Sequence, residues 1–388
     1  MRGDTVGNVF LVPQKILSGN GAIQELGSHI QGKGKKALIV TDKFMVQFGN
    51  VAKVTEVLDQ AGIAYAVYDG ANSEPTDLIV DAGVAMYKEQ QCDLLIALGG
   101  GSPIDTAKAI GFMANSPGKI ADYLHKTIDG EVPYLVAIPT TAGTGSEATK
   151  FTIIADTVNN VKMLLAGPSI LPSLAVVDPV FTMTAPPKVT AATGVDALTH
   201  AIEAYTSRKA QPLSDIFAVS AIQRIHKNLP ACFKDGKNEA ARLEMSLGAH
   251  EAGIAFNNAS VTLVHGMSRP IGALFHIAHG VSNAVLLPAC LEFAIAENTG
   301  RFAEIGRLMG VATASTEDKA AAAAMVQEVT RFCKEIEIPT LSELGVKKED
   351  FMAQLEKMAE DALDSGSPQN TFRIPNKEEI MEIYKKLF

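Results

Sequence analysis

The sequence predicts a two-domain protein, an α/β domain on a parallel sheet followed by an all-α domain. Three observations carry that expectation. Short apolar runs without polar alternation, separated by helical stretches, fill the first half, and such strands belong to parallel sheets covered on both faces. After Pro186 and Pro187 the strand-like runs stop and helical periodicity takes over. At 388 residues the chain also exceeds the size at which single cores usually stop growing. The first domain is therefore assigned to residues 1–187 and the second to 188–388. With no repeat and no low-complexity linker between them, close packing is expected.

The elements follow in order. Ala37-Leu38-Ile39-Val40 reads as a buried strand ending at Thr41-Asp42, and a helix is expected from Val51 to Ala61. Tyr65 to Tyr68 is the next strand, and Thr76 to Gln90 is helical, with start signals at Pro75 and Asp77. Asp93 to Leu98 is a third strand, Tyr134 to Pro139 a fourth, and Leu174 to Asp178 a fifth. Beyond the proline pair, Asp318 to Glu335 and Asn376 to Leu387 are clear helices.

The net charge of −9 and the lack of a long basic run argue against nucleic acid or an anionic membrane as partner. Met1 to Val12 lacks the pattern of a signal peptide, and no apolar run reaches membrane-spanning length. Cys92, Cys232, Cys290 and Cys333 are widely spaced, as buried thiols in a reducing compartment would be. A cytoplasmic protein is expected.

Gly99-Gly100-Gly101-Ser102-Pro103-Ile104-Asp105 follows a strand and opens a helix. Ser102 suits the N-cap, Pro103 the first helical position, and Asp105 the closing position of a capping box. Glycines let a ligand approach the backbone, and the helix N-terminus offers free N–H groups to phosphate. A tight turn that binds nothing would read the same way, because the pattern is not GxGxxG. The hydroxyl-rich loop containing Thr140, Thr141 and Thr144 ends another strand, where ligands of open α/β sheets collect. Two such loops in one sheet favour a dinucleotide. Asp42, at the end of the first strand of the unit, could accept both ribose hydroxyls and repel a 2′-phosphate, or could simply cap the next turn.

In the stretch Gly194 to Tyr205, Val195, Leu198, Ile202 and Tyr205 repeat as on a helix with one buried face. Asp196 and His200, four apart, then sit one above the other on the helix. They are half of a coordination shell, or an ordinary exposed i,i+4 pair. His265 and His279, each followed by Gly, could supply the other half. One Asp and three His suit Fe²⁺ or Zn²⁺ and leave positions open for a substrate oxygen. His29, His125, His226 and His250 have no such partners and are read as structural.

The stretches KALIVTDK from Lys36, GGGSPIDTAK from Gly99, IPTTAGTGSE from Ile138 and ATGVDALTHAIEAY from Ala192 resemble the iron-containing (group III) alcohol dehydrogenases. So do LVHGM and AHGVSNAVLLP around the late histidines. The resemblance runs from about Pro13 to the C-terminus and is nearest to the lactaldehyde reductase/1,2-propanediol oxidoreductase branch. It implies a Rossmann-like NAD(P) domain, a helical metal domain (the dehydroquinate synthase-like fold), catalysis in the cleft between them, and a homodimer or higher homo-oligomer. It implies that Asp196, His200, His265 and His279 are the metal ligands. It places Gly100, Gly101 and Ser102 on the pyrophosphate, and Thr140, Thr141 and Thr144 on the second cofactor loop. Lys162 falls at the nicotinamide ribose, Phe151 beside nicotinamide and substrate, and Phe256 on the substrate wall. Arg269 and His276 depart from the family pattern near the metal, where many members carry His and Asn or Asp respectively.

The implied function is hydride exchange between NAD(H) and a small primary alcohol, diol or aldehyde, with Fe²⁺ polarising the substrate oxygen. The alternatives are a zinc-dependent polyol dehydrogenase on the same fold and a non-catalytic scaffold or filament protein.

Overall fold

The computed structural model describes residues 7–159 and 161–388. Half of the Met1–Val12 segment read for a targeting signal therefore lies outside the described residues. The chain forms two compact units, Val12–Ala185 and Pro186–Phe388, and residues 7–11 group with the second. That last point differs from a first domain beginning at residue 1. Asn257 and Asn258 donate to the Leu11 carbonyl at 3.0 and 2.8 Å, and Phe10 stacks on Phe217.

The first unit is a six-stranded parallel sheet in the order β1-β8-β5-β4-β2-β3. Its strands are β1 (Lys15–Ser18), β2 (Lys36–Val40), β3 (Ala64–Tyr68), β4 (Leu94–Gly99), β5 (Tyr134–Pro139) and β8 (Leu174–Val177). Alternate residues of the central strands enter two separate cores. Leu38, Val40, Leu95 and Ala97 pack with Val80, Ile104 and Ile110 on one face. Ala37, Ile39, Leu94 and Ile96 pack with Leu26, Val54 and Leu58 on the other. Both faces are covered, so neither set of alternate positions is polar. Each fully buried aliphatic side chain contributes about 1.5–3 kcal/mol of transfer free energy.

Two features were not expected. β1 is mostly exposed and joins only the edge of the sheet, beside β8, so its sequence lacks an apolar run. β6 (Phe151–Asp156) and β7 (Val161–Ala166) form an antiparallel hairpin outside the main sheet. Asp156 shapes its turn by accepting from the N–H groups of Val158 and Asn159.

The second unit is helical, and among the described residues every named strand ends by Val177. Its central helix, Pro187–Thr206, is buried all round: from Thr190 to Thr206 only Thr193 is not buried. This corrects the reading of a helix with one buried face. Small residues interspersed with the apolar ones let neighbouring helices approach from several sides, and a period fitted to large apolar residues misses them. The helices Pro212–Lys234, Glu239–Ala259 and His279–Ala294 surround it.

Candidate metal and dinucleotide sites

In the helical unit, three helices bring the metal candidates together. Asp196 and His200 lie on Pro187–Thr206, His265 in the first turn of Leu263–Phe275, and His279 at the start of His279–Ala294. The approach of the last helix depends on Gly280. A Cβ there would stand 2.7 Å from the Ala192 carbonyl oxygen and 3.5 Å from Asp196 Cβ.

Ligand atoms of Asp196, His265 and His279 all lie within 4.8 Å of one another. Asp196 Oδ1 is 3.6 Å from His265 Nε2 and 3.8 Å from His279 Nε2. His200 adjoins this triad: its ring stacks on His265 at 4.4 Å and on Phe256 at 4.2 Å, and its buried Nδ1 has no hydrogen-bond partner. The donor set is nitrogen and carboxylate oxygen, at spacings a first-row divalent ion spans with bonds of about 2.0–2.2 Å.

Two further residues were missed by the sequence reading. Glu203 Oε2 lies 2.5 Å from His265 Nδ1, while its Oε1 accepts from Thr262 Oγ1 at 2.8 Å and from the Val264 N–H at 2.6 Å. This carboxylate fixes the ring so that Nε2 faces Asp196. Asn283 donates to Asp196 Oδ1 at 2.6 Å and lies 3.1 Å from Nε2 of both His265 and His279. The signal was present as spacing. Asp196, His200 and Glu203 stand at i, i+4 and i+7, and His279 and Asn283 at i and i+4.

The electrostatics suit a cation. Burial opposes ionisation of Asp196, but His200, His279 and His265 outweigh it and hold its carboxyl well below the ordinary range. Burial drives His200 down to about 3 against the pull of Asp196. Burial also acts against charge on His265, yet Glu203 and Asp196 raise it to about 9. Burial disfavours the Glu203 carboxylate, but His265 and the Thr262 bonds keep it below its ordinary value.

The substrate candidates take different positions. Phe256 lies on the His200 ring. Arg269 is partly enclosed, with Nη1 3.4 Å from the Ser365 carbonyl oxygen. His276 ends its helix in the left-handed region at φ 54°, a conformation that Asn and Asp adopt more readily than most residues.

In the sheet unit, the two ligand loops lie side by side. β4 and β5 pair through Gly99 and Pro139, and the Thr140 N–H donates to the Gly99 carbonyl at 3.0 Å. A Cβ on Gly100 would meet Thr141 Oγ1 at 3.5 Å, and one on Gly101 would meet Thr144 Cγ2 at 3.2 Å. Gly99 is required by close approach, since a Cβ would sit 2.3 Å from Pro103 Cγ. Thr141 Oγ1 is buried without a partner. The expected cap needs correction. The helix spans Gly101–Asn115 with Gly100 as N-cap, so Ser102 and Pro103 lie inside the first turn. Asp105 closes no capping box and instead accepts from the Ile153 N–H at 3.0 Å.

Asp105 belongs to a buried network that ties this helix to the hairpin. Thr152 Oγ1 donates to the Asp105 carbonyl, and Lys108 Nζ donates to Thr149 Oγ1 at 3.0 Å and the Phe151 carbonyl at 2.8 Å. Burial lowers Lys108 to about 8 despite Asp105 and Glu147, and burial raises Asp105 despite Lys108. Phe151 therefore begins β6 from an anchored backbone. Lys162, on β7, pairs with Glu74 at 2.5 Å. Asp42 caps the helix Lys43–Gln47, its Oδ1 accepting from Phe44 and Met45 N–H at 2.8 and 3.0 Å.

Residues 13–179 match the family model "Iron-containing alcohol dehydrogenase", and residues 190–388 match "Fe-containing alcohol dehydrogenase family, C-terminal". The chain is 38% identical to the NAD-dependent methanol dehydrogenase of Bacillus methanolicus, over 97% of this chain and 98% of that one. It is 40% identical to the lactaldehyde reductase of Escherichia coli K12, over 97% and 98% of the two chains. A crystal structure of 1,3-propanediol oxidoreductase superposes with a TM-score of 0.96 at 38% identity, covering 99% of this chain and all of that one. The chain belongs to the iron-containing alcohol dehydrogenase family and is an oxidoreductase of that family.

Proposed function

We propose that this protein moves hydride reversibly between NAD(H) and a small primary alcohol, diol or aldehyde, at a divalent iron site in its helical unit. The observation that carries this reading is the Asp196–His265–His279 cluster, its Asp196 and His265 buried and His279 exposed, with Glu203 behind it. Asp196, His200, His265 and His279 are the residues that would hold the ion. Iron(II) supplies Lewis-acid polarisation of the substrate oxygen when bound. Glu203 keeps His265 in the tautomer that presents Nε2, and the apolar helix packing keeps water from the buried ligands. Phe256 holds the His200 ring in place by stacking.

In the sheet unit, Gly99, Gly100, Gly101 and Ser102 offer first-turn N–H groups to the cofactor pyrophosphate, and Thr140, Thr141 and Thr144 add hydroxyls. Asp42 uses its cap-free oxygen for the adenosine ribose. Phe151 and Lys162 serve the nicotinamide end, with Lys162 exchanging Glu74 for a ribose hydroxyl. Neither the zinc-dependent polyol reading nor the scaffold reading gains a supporting observation.

No helix among the described residues is long and apolar enough to cross a membrane. The four cysteines are buried and free, which supports a cytoplasmic location. The exposed edge strand β1 supports assembly of a homodimer or higher homo-oligomer by offering unpaired backbone to a second copy.

The test is anaerobic reconstitution with Fe²⁺, followed by NADH oxidation with a panel of short aldehydes. Metal-dependent turnover is expected. No turnover of any aldehyde by the iron-loaded protein would overturn the reading.

A further inference from the structure

Arg269 stands one helical turn beyond His265 on the helix Leu263–Phe275, so the two side chains leave the helix on the same face. Its guanidinium has five N–H donors to satisfy. Among the described residues it makes one hydrogen bond, the 3.4 Å contact to the Ser365 carbonyl, and has no ion-paired carboxylate. Burial pulls its pKa below the usual guanidinium value, and the acid that opposes this is Glu203. Glu203 is already committed to His265, Thr262 and Val264. A partly enclosed guanidinium without a counter-charge is costly, so its place one turn from the candidate ligand His265 calls for an anion from outside the chain.

We propose that Arg269 binds a carboxylate on the substrate, making the substrate class a short oxo acid and the hydroxy acid formed by its reduction. This rests on the function proposed above: the aldehyde end would meet the metal ligands and the carboxylate the guanidinium. Neighbours at i and i+4 are about 5–6 Å apart at Cβ, a separation a short carbon chain bridges. The reaction is balanced by the established chemistry of the family: hydride from NADH reduces the aldehyde carbon, and a proton from solvent completes the hydroxy acid.

The experiment compares succinate semialdehyde with uncharged butanal, using iron-loaded parent, Arg269→Met and Arg269→Lys. The parent is expected to favour the semialdehyde in kcat/KM. Arg269→Met should lower that preference about thirtyfold or more, the usual consequence of removing one partner of an enclosed charge pair, and Arg269→Lys should restore part of it. Equal preference in parent and Arg269→Met would overturn the proposal and leave Arg269 a structural residue. Calorimetric titration of 4-hydroxybutyrate onto the same three proteins reads the anion site without turnover. Binding by the parent that Arg269→Met loses supports the proposal; equal binding by both, or none by the parent, overturns it. A parent that reduces no aldehyde refutes the proposed function, and the titration then decides the anion site by itself.

Discussion

The Glu203 carboxylate lies 2.5 Å from Nδ1 of His265, with both side chains fully enclosed in the helical unit. A metal-ligating histidine needs its second nitrogen held, and a carboxylate in that place also raises the basicity of the ligating one. Glu203→Gln keeps the size of the side chain but removes the charge. It should weaken metal affinity about 10–100-fold in a chelator competition. Unchanged affinity would mean that Glu203 serves only the packing around Thr262.

The double duty proposed for Asp42 can be separated. Asp42→Asn retains the helix cap to Phe44 and Met45, because Asn caps as well as Asp, but no longer repels a 2′-phosphate. The ratio of kcat/KM for NADPH to that for NADH should rise by about tenfold or more, with little change in Tm. If the ratio stays put, the carboxylate is a cap and nothing else.

Lys108 makes stability depend on pH. Its folded pKa is lowered to about 8 from the ordinary 10.5, with burial as the leading cause. Below about pH 8 the amine is charged in both states. Between that value and 10.5 the unfolded chain binds the proton and the folded chain does not, so this group makes stability rise with pH. Lys108→Met should lack that rise, a difference of at most about 3 kcal/mol, reduced by coupling to Asp105. Urea unfolding of both proteins at about pH 7.5 and about pH 9.5 measures it. Parallel pH dependences would contradict the assignment.

How much of this was legible in the sequence varied with the kind of signal. The central strands β2, β4, β5 and β8 could be read because each is buried on both faces and so is continuously apolar. β1 could not, because an edge strand that buries little has no such pattern. The hairpin of β6 and β7 was hidden because its order comes from Lys108 and Asp105, residues more than forty positions away in the chain. His265 and His279 stood out because a glycine follows each, and Gly280 has a reason in the approach of Ala192. Glu203 and Asn283 were overlooked although their helical spacing was visible, since a carboxylate or amide within an apolar run takes its meaning only from what lies opposite.

The central claim is that the helical unit holds a divalent ion through Asp196, His265 and His279, with His200 completing the set. It is tested most directly by the iron content of anaerobically reconstituted parent and His265→Ala, read by mass spectrometry beside NADH oxidation. Stoichiometric iron in the parent, with iron and turnover falling together by orders of magnitude in the variant, is the expected result. Full iron content and undiminished turnover in His265→Ala would contradict it.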